Sequence, residues 1–284
     1  MKTLITGADG YIGGYLKKQF LKDNKDYVES NIDSFDYSDI NSIRDFFKSK
    51  KIQKVIHLAG VLQNDSFDLL FKVNIYGLYN LLYVCAENNV SHFTFASGNN
   101  VYDRLSEKRL TEMDLCKPSF DNRYGFSKYV GELLIKDICS STDMKYANVR
   151  IADVYGAGQK HGNLLKAIMG NAAKSEPLYL YGEGKRVRDY IYVKDVAEGL
   201  CYISSKEITG DINLGTGIGT SVKELINITN EICDSALEIK RISVENEDIS
   251  SVVLDPKKLN DYGFFAKYTV KDGIKEILRG ESNE

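Results

Sequence analysis

Thr6-Gly7-Ala8-Asp9-Gly10-Tyr11-Ile12-Gly13 is the stretch on which the fold turns. Before it, Lys2 to Thr6 is a short apolar run that reads as a buried strand. After it, Tyr11 to Asp23 carries Ile12, Leu16 and Phe20 on one stripe, the period of an amphipathic helix. Strand, glycine turn and helix in that order is the setting of a dinucleotide-binding fingerprint. Gly7 permits the tight turn, and the side-chain-free turn at Gly10 lets the backbone approach a pyrophosphate. Gly13 lets the helix pack closely on the strand. The helix start, at Tyr11 and Ile12, offers unpaired N–H groups and a partial positive charge to that anion.

Outward from this turn the first half alternates strand and helix. Strands are expected between Tyr27 and Ile32, over Val55–Leu58, His92–Ala96 and Tyr146–Ile151. Helices are expected after Ser38, which stands where it could cap one, and over Asn74–Ala86 and Tyr124–Ile138. That alternation predicts an α/β fold, a Rossmann-like doubly wound parallel sheet. Beyond Tyr155 the order loosens. A helix is expected over Leu164–Ala173, and short strands at Leu178–Tyr181 and Tyr190–Val193. Ser221/Glu224 and Thr269/Asp272 have capping-box spacing. We therefore expect a dinucleotide-binding domain over 1–155, with some later segments returning to it, and a mainly substrate-binding lobe over 156–284.

An acid that accepts the ribose hydroxyl is expected about 20 residues after the turn. Asp33 stands at that distance, with Glu29 close by. No Lys or Arg lies between Asp26 and Asn41, where a 2′-phosphate would need one, so NAD is favoured over NADP.

Tyr124 and Lys128 are four residues apart and share a helix face. A free phenol titrates near pH ~10 and is a poor base at neutral pH. A nearby ammonium stabilises the phenolate, so a tuned phenol can exchange a proton with a carbinol while hydride moves to a nicotinamide. The same spacing recurs at Tyr181/Lys185, Tyr190/Lys194 and Tyr202/Lys206, where packing or surface roles suffice. Tyr124 differs because it opens a helix in the dinucleotide half.

Together these residues resemble the extended short-chain dehydrogenase/reductases of the NAD-dependent sugar-nucleotide epimerase/dehydratase branch. The likeness covers nearly the whole chain. It implies that Asp36 approaches adenine, and that Leu58 and Ala59, in Val55 to Gly60, pass beneath the cofactor. It matches Asn74 to a structural asparagine and Arg188, in Gly182 to Asp195, to an arginine on the substrate diphosphate. A planar guanidinium suits phosphate oxygens. The resemblance makes Tyr124 the acid/base and Lys128 the holder of the nicotinamide ribose. Two positions depart from the pattern. Gly98 falls where a catalytic hydroxyl is expected, leaving Ser97 or Asn99 as substitutes. Asp153 puts a negative charge near the diphosphate, where the family often has Asn.

The leading expectation is an NAD-dependent sugar-nucleotide epimerase that works through a keto-sugar. A 4-keto-deoxy-sugar-nucleotide reductase using NAD(P)H is the rival, and a non-catalytic dinucleotide sensor or scaffold is a third reading. Asn99 and Asn100 replace the Asp-Glu pair of the 4,6-dehydratases, which lowers that reading. The resemblance also implies a homodimer through helices around Asn74–Glu87 and Tyr124–Ser140.

Bulk properties fit this picture. The 284 residues carry a formal net charge of -3, and the slight acidity argues against a nucleic-acid partner. Five scattered cysteines form no metal pattern, so no metal is expected and free thiols suit a reducing cytoplasm. The start of the chain lacks an apolar signal segment, and no stretch is expected to span a bilayer, so no membrane partner is expected.

Overall fold

A computed structural model describes residues 1–31, 33–62, 66–102, 109–118, 122–159, 164–174, 176–233 and 237–281. Ile32, the expected end of the second strand, lies outside them. In chain order the strands are β1 (Thr3–Thr6), β2 (Tyr27–Ser30), β3 (Lys54–His57), β4 (His92–Gly98), β5 (Lys145–Ile151), β6 (Asp153–Tyr155), β7 (Leu178–Tyr181), β8 (Val187–Tyr192), β9 (Gly210–Leu214), β10 (Gly219–Ser221), β11 (Ile239–Ile242) and β12 (Ser251–Val252). The α-helices are α1 (Tyr11–Lys22), α2 (Ile40–Phe47), α3 (Phe67–Leu70), α4 (Leu78–Glu87), α5 (Arg123–Ser140), α6 (Leu164–Lys174), α7 (Val193–Lys206), α8 (Val222–Cys233), α9 (Lys257–Asp261) and α10 (Val270–Glu281).

The chain forms two compact units. The first comprises Met1–Asp103, Glu112–Ile151 and Val196–Leu214, and the second Arg104–Thr111, Ala152–Asp195 and Gly215–Glu284. The first unit holds a six-stranded sheet ordered β2-β1-β3-β4-β5-β9. Every pairing in it is parallel. The order reverses direction beside β1, the switch point at which such sheets bind ligands. Leu4, Val55, Phe93 and Phe95 from the strands pack with Ile43, Phe47, Leu81 and Ile135 from the helices. The second unit has its own core, in which Tyr155, Ile168, Tyr192, Leu225 and Ile274 meet.

Several local expectations change. Asp39, not Ser38, caps α2, because its carboxylate accepts from Asn41 N at 2.9 Å while Ser38 is occupied with Asp36. Both capping boxes form: Glu224 N donates to Ser221 Oγ, and Asp272 N to Thr269 Oγ1, each at 3.2 Å. The helix expected from Asn74 starts earlier. α3, a π-helical stretch over Phe71–Gly77 and α4 join into one run, Phe67–Glu87. Its 21 residues are long and apolar enough to cross a membrane by length and composition, which corrects the expectation that no stretch reaches that length. In the fold, 56% of its apolar window is buried.

Candidate active site

The glycine turn is shaped as the fingerprint requires. Gly7 has φ +67°, a left-handed conformation that favours glycine. A Cβ on it would lie 2.8 Å from Ala59 N, so turn and β3 loop approach to backbone contact. At Gly13 a Cβ would meet Gly7 O at 2.3 Å, which is why α1 can start so close to β1. The N-cap is Gly10, and no side chain caps the first turn of α1. A helix start of this kind suits an anion. Thr6 Oγ1 accepts from Ala59 N at 3.3 Å and hydrogen-bonds His57 Nδ1 at 2.8 Å, tying the ends of β1 and β3 together. Burial pushes His57 down to about 3, so its ring stays neutral. This cradle fits a dinucleotide pyrophosphate, with Tyr11, Ile12, Leu58 and Ala59 along its rim.

The ribose side differs from a simple count along the sequence. β1 pairs with β2 so that Thr6 faces Ser30, which makes Asn31 the first residue past the strand tip. Asn31 Oδ1 accepts from Asp33 N at 3.1 Å and Ser34 Oγ at 2.9 Å. Asp33 is exposed beyond this turn, and Glu29 pairs with Lys17 at 2.8 Å. Strand register, not residue count, fixes Asn31 as the residue at the tip. Asp36 is exposed in the next loop. Hydrogen bonds from Ser38 Oγ and N, at 2.7 and 2.8 Å, hold its carboxyl below the usual range. Tyr37 is folded inward, and a Cβ on Gly77 would meet Tyr37 Cβ at 2.7 Å. Gly77 thus makes room for it beside the π-helical turn.

Asn74 lies in that π-helical turn, a distortion common at functional sites. Its amide donates to Val61 O and Ser127 Oγ, each at 3.1 Å, and its Oδ1 accepts from Val61 N at 2.9 Å. It therefore fastens the β3 loop to α5. At the same spot, a Cβ on Gly60 would lie 3.1 Å from Asn74 Oδ1 and 3.6 Å from Lys128 Nζ.

Tyr124 and Lys128 sit in the first turns of α5. Asn122 starts this helix: its Oδ1 accepts from Gly125 N at 3.0 Å and its Nδ2 donates to Asn100 O at 3.1 Å. A Cβ on Gly125 would be 2.4 Å from Asn100 O, so glycine there lets the helix press against the 3-10 turn Asn99–Val101 after β4. Asn122 was not singled out from the sequence, although Asn just before an apolar helix is a capping signal.

Lys128 Nζ donates to Ala96 O at 2.9 Å and lies 4.7 Å from the Phe95 ring centre and 5.6 Å from that of Tyr124. Burial lowers its pKa to about 8, with Glu132 opposing. Burial also pushes the Tyr124 phenol up to about 12. The ammonium was expected to bring the phenol down; in the fold, desolvation of the phenol outweighs it.

Ser97 and Gly98 are the last residues of β4. Ser97 Oγ donates to buried Glu132 Oε1 at 2.6 Å. Glu132 also receives Arg150 Nη2 at 2.7 Å, and Arg150 continues to Asp211 and to the Tyr102 hydroxyl. Burial alone would lower the guanidinium pKa, but Glu132 outweighs it and the pKa rises. Ser97 is thus committed to a structural ion cluster rather than standing in for the missing hydroxyl. Asn99 is buried in the turn that follows. Gly98 is extended at φ -149° and ψ 166°, with nothing nearer than 3.5 Å to an added Cβ.

Arg188 and Asp153 belong to the second unit. Arg188 Nη1 donates to Val187 O at 2.7 Å and Ser250 O at 2.9 Å, and Nη2 to Ser250 Oγ at 2.8 Å. Its Nε is 3.9 Å from Asp153 Oδ2. Burial lowers its pKa, with Asp153 opposing. The acid that looked out of place beside a diphosphate is a partner of the arginine expected to bind it. Arg186, the residue just before β8, was not singled out from the sequence. Its Nε is buried with no partner among the described residues. Among the described residues no three His, Cys, Asp or Glu side chains cluster to hold a metal.

A parallel sheet with a glycine cradle at its switch point, followed by a tyrosine and a lysine on one buried helix, defines a dinucleotide-dependent enzyme of the short-chain dehydrogenase type. The NAD dependent epimerase/dehydratase family model matches residues 3–215, and the chain belongs to that family. A putative UDP-glucose 4-epimerase of Methanocaldococcus jannaschii is 27% identical over 99% of this chain and 98% of its own. Human dTDP-D-glucose 4,6-dehydratase is 24% identical over 98% of this chain and 89% of its own. Among solved structures, Thermus thermophilus UDP-glucose 4-epimerase in complex with NAD superposes with a TM-score of 0.87 at 27% identity, over 98% of both chains. UDP-glucose 4-epimerase of Thermotoga maritima, with UDP-glucose, gives 0.87 at 23% identity over the whole of both chains.

Proposed function

We propose that this chain is an NAD-dependent sugar-nucleotide epimerase that acts on a UDP-hexose. The observation that carries the reading is Tyr124 and Lys128 together on the buried face at the start of α5, the helix that Asn74 fastens to the β3 loop through Ser127. The relatives whose names specify UDP-glucose 4-epimerase support the substrate class. Bound NAD supplies a hydride acceptor and a positive nicotinamide. Tyr124 takes the carbinol proton as hydride leaves the sugar carbon, and returns it when hydride comes back to the other face. Lys128, fixed by Ala96 O, holds the nicotinamide ribose and keeps a positive charge beside the phenol. Arg188 supplies the cation for the diphosphate, and Asp153 sets how much of that charge is free. Asn99 and Gly98 line the end of β4 without a free hydroxyl.

Incubation with UDP-glucose tests this. UDP-galactose forming with no net NADH consumption supports epimerisation. Consumption of NADH with a keto-sugar nucleotide and no epimer supports a reductase instead.

We also propose a homodimer. Tyr76, Tyr79 and Tyr83 are each over 40% exposed on one face of the long helix, and Phe126 and Leu133 are exposed on α5 at 37% and 46%. Such a patch is characteristic of a surface that meets a partner. The five free cysteines suit a cytoplasmic setting.

A further inference from the structure

Lys17 Nζ lies 3.3 Å from Asp9 Oδ1 and 2.8 Å from Glu29 Oε2. Asp9 belongs to the glycine turn, and Glu29 is the next-to-last residue of β2. The ammonium therefore bridges the glycine turn and the end of β2. In this fold the adenosine ribose sits at that tip, and a cation there accommodates a 2′-phosphate. Here Lys17 faces two carboxylates, and the three side chains together carry a net charge of -1. The pairing with Glu29 raises the Lys17 pKa and keeps it fully charged. No Lys or Arg stands between Asp26 and Asn41.

We propose that Asp9 and Glu29, by gripping Lys17 between them, make the end of β2 repel a 2′-phosphate and so fix the preference for NAD over NADP. This rests on the reading above, that the glycine cradle binds NAD. Lys17 is then a masked phosphate ligand: remove both acids and its ammonium is free to meet the phosphate. Because Asp9 and Glu29 are over half exposed, the grip is electrostatic rather than structural, and neutral replacements should leave the fold intact.

The test is calorimetric titration of NAD and NADP into wild type, D9N/E29Q and D9N/E29Q/K17Q, with melting temperature as a check on folding. Wild type should bind NAD and discriminate against NADP. The double variant should improve NADP affinity by about tenfold or more while NAD affinity changes little, since like-charge juxtaposition is costly. Adding K17Q should remove that gain. Three results overturn the proposal alone: wild type binding both cofactors equally, an unchanged NADP-to-NAD ratio in the double variant, or a gain that survives K17Q. If wild type fails to bind NAD at all, the proposal falls together with the reading beneath it.

Discussion

Ser97 Oγ donates a 2.6 Å hydrogen bond to Glu132, inside a cluster closed to water. Glu132 is also the main counter-charge of buried Arg150. Ser97→Ala should therefore cost about 1–3 kcal/mol of stability by leaving a buried acceptor short of a donor. Turnover should stay close to wild type. Glu132→Ala should cost about 3–5 kcal/mol, because Arg150 loses its nearest partner. Chemical denaturation and steady-state rates check both.

Gly98 is different: its backbone is extended and open to a side chain. Gly98→Ser should fold with stability within about 1 kcal/mol of wild type, since a non-glycine residue also lowers the entropy of the unfolded chain. It places a hydroxyl at the tip of β4, and turnover of UDP-glucose should rise. A fall in turnover at unchanged melting temperature would show that the glycine is required as such.

Lys128 gives a pH dependence with a definite sign. Its pKa falls from 10.5 in the unfolded chain to about 8 in the folded one. Between those values the unfolded chain binds more protons, so stability rises with pH. The contribution is complete above 10.5 and is lost as pH falls through about 8. Subtracting the stability curve of Lys128→Met from that of wild type should leave a rise across this window. A flat difference would mean that the ammonium is not desolvated.

The exposed aromatic face predicts association. Tyr79→Glu together with Leu133→Glu should give a monomer by light scattering where wild type gives a dimer, at little cost in monomer stability. Wild type running as a monomer at micromolar concentration would contradict the dimer.

The glycine turn was legible because strand, turn and helix are contiguous, so sequence distance equals spatial neighbourhood. Tyr124 and Lys128 were legible for the same reason, being one helical turn apart. Asn31 was not, because the tip of β2 is set by its pairing with β1. Nor was the commitment of Ser97, which depends on Glu132 reaching back 35 residues from α5 to the end of β4. The partnership of Asp153 with Arg188 likewise needs β6 and β8 to lie side by side. The sequence could only register Asp153 as an unexpected charge. The phenol's high pKa was missed because burial, which opposes Lys128, is a property of the folded site alone.

The most direct test measures NAD affinity and UDP-glucose turnover side by side for wild type and Tyr124→Phe. The phenolic oxygen is the proposed proton carrier, so the variant should bind NAD within about threefold of wild type and lose at least about a hundredfold in turnover. Turnover equal to wild type with NAD still bound would contradict the assignment of Tyr124 as the acid/base.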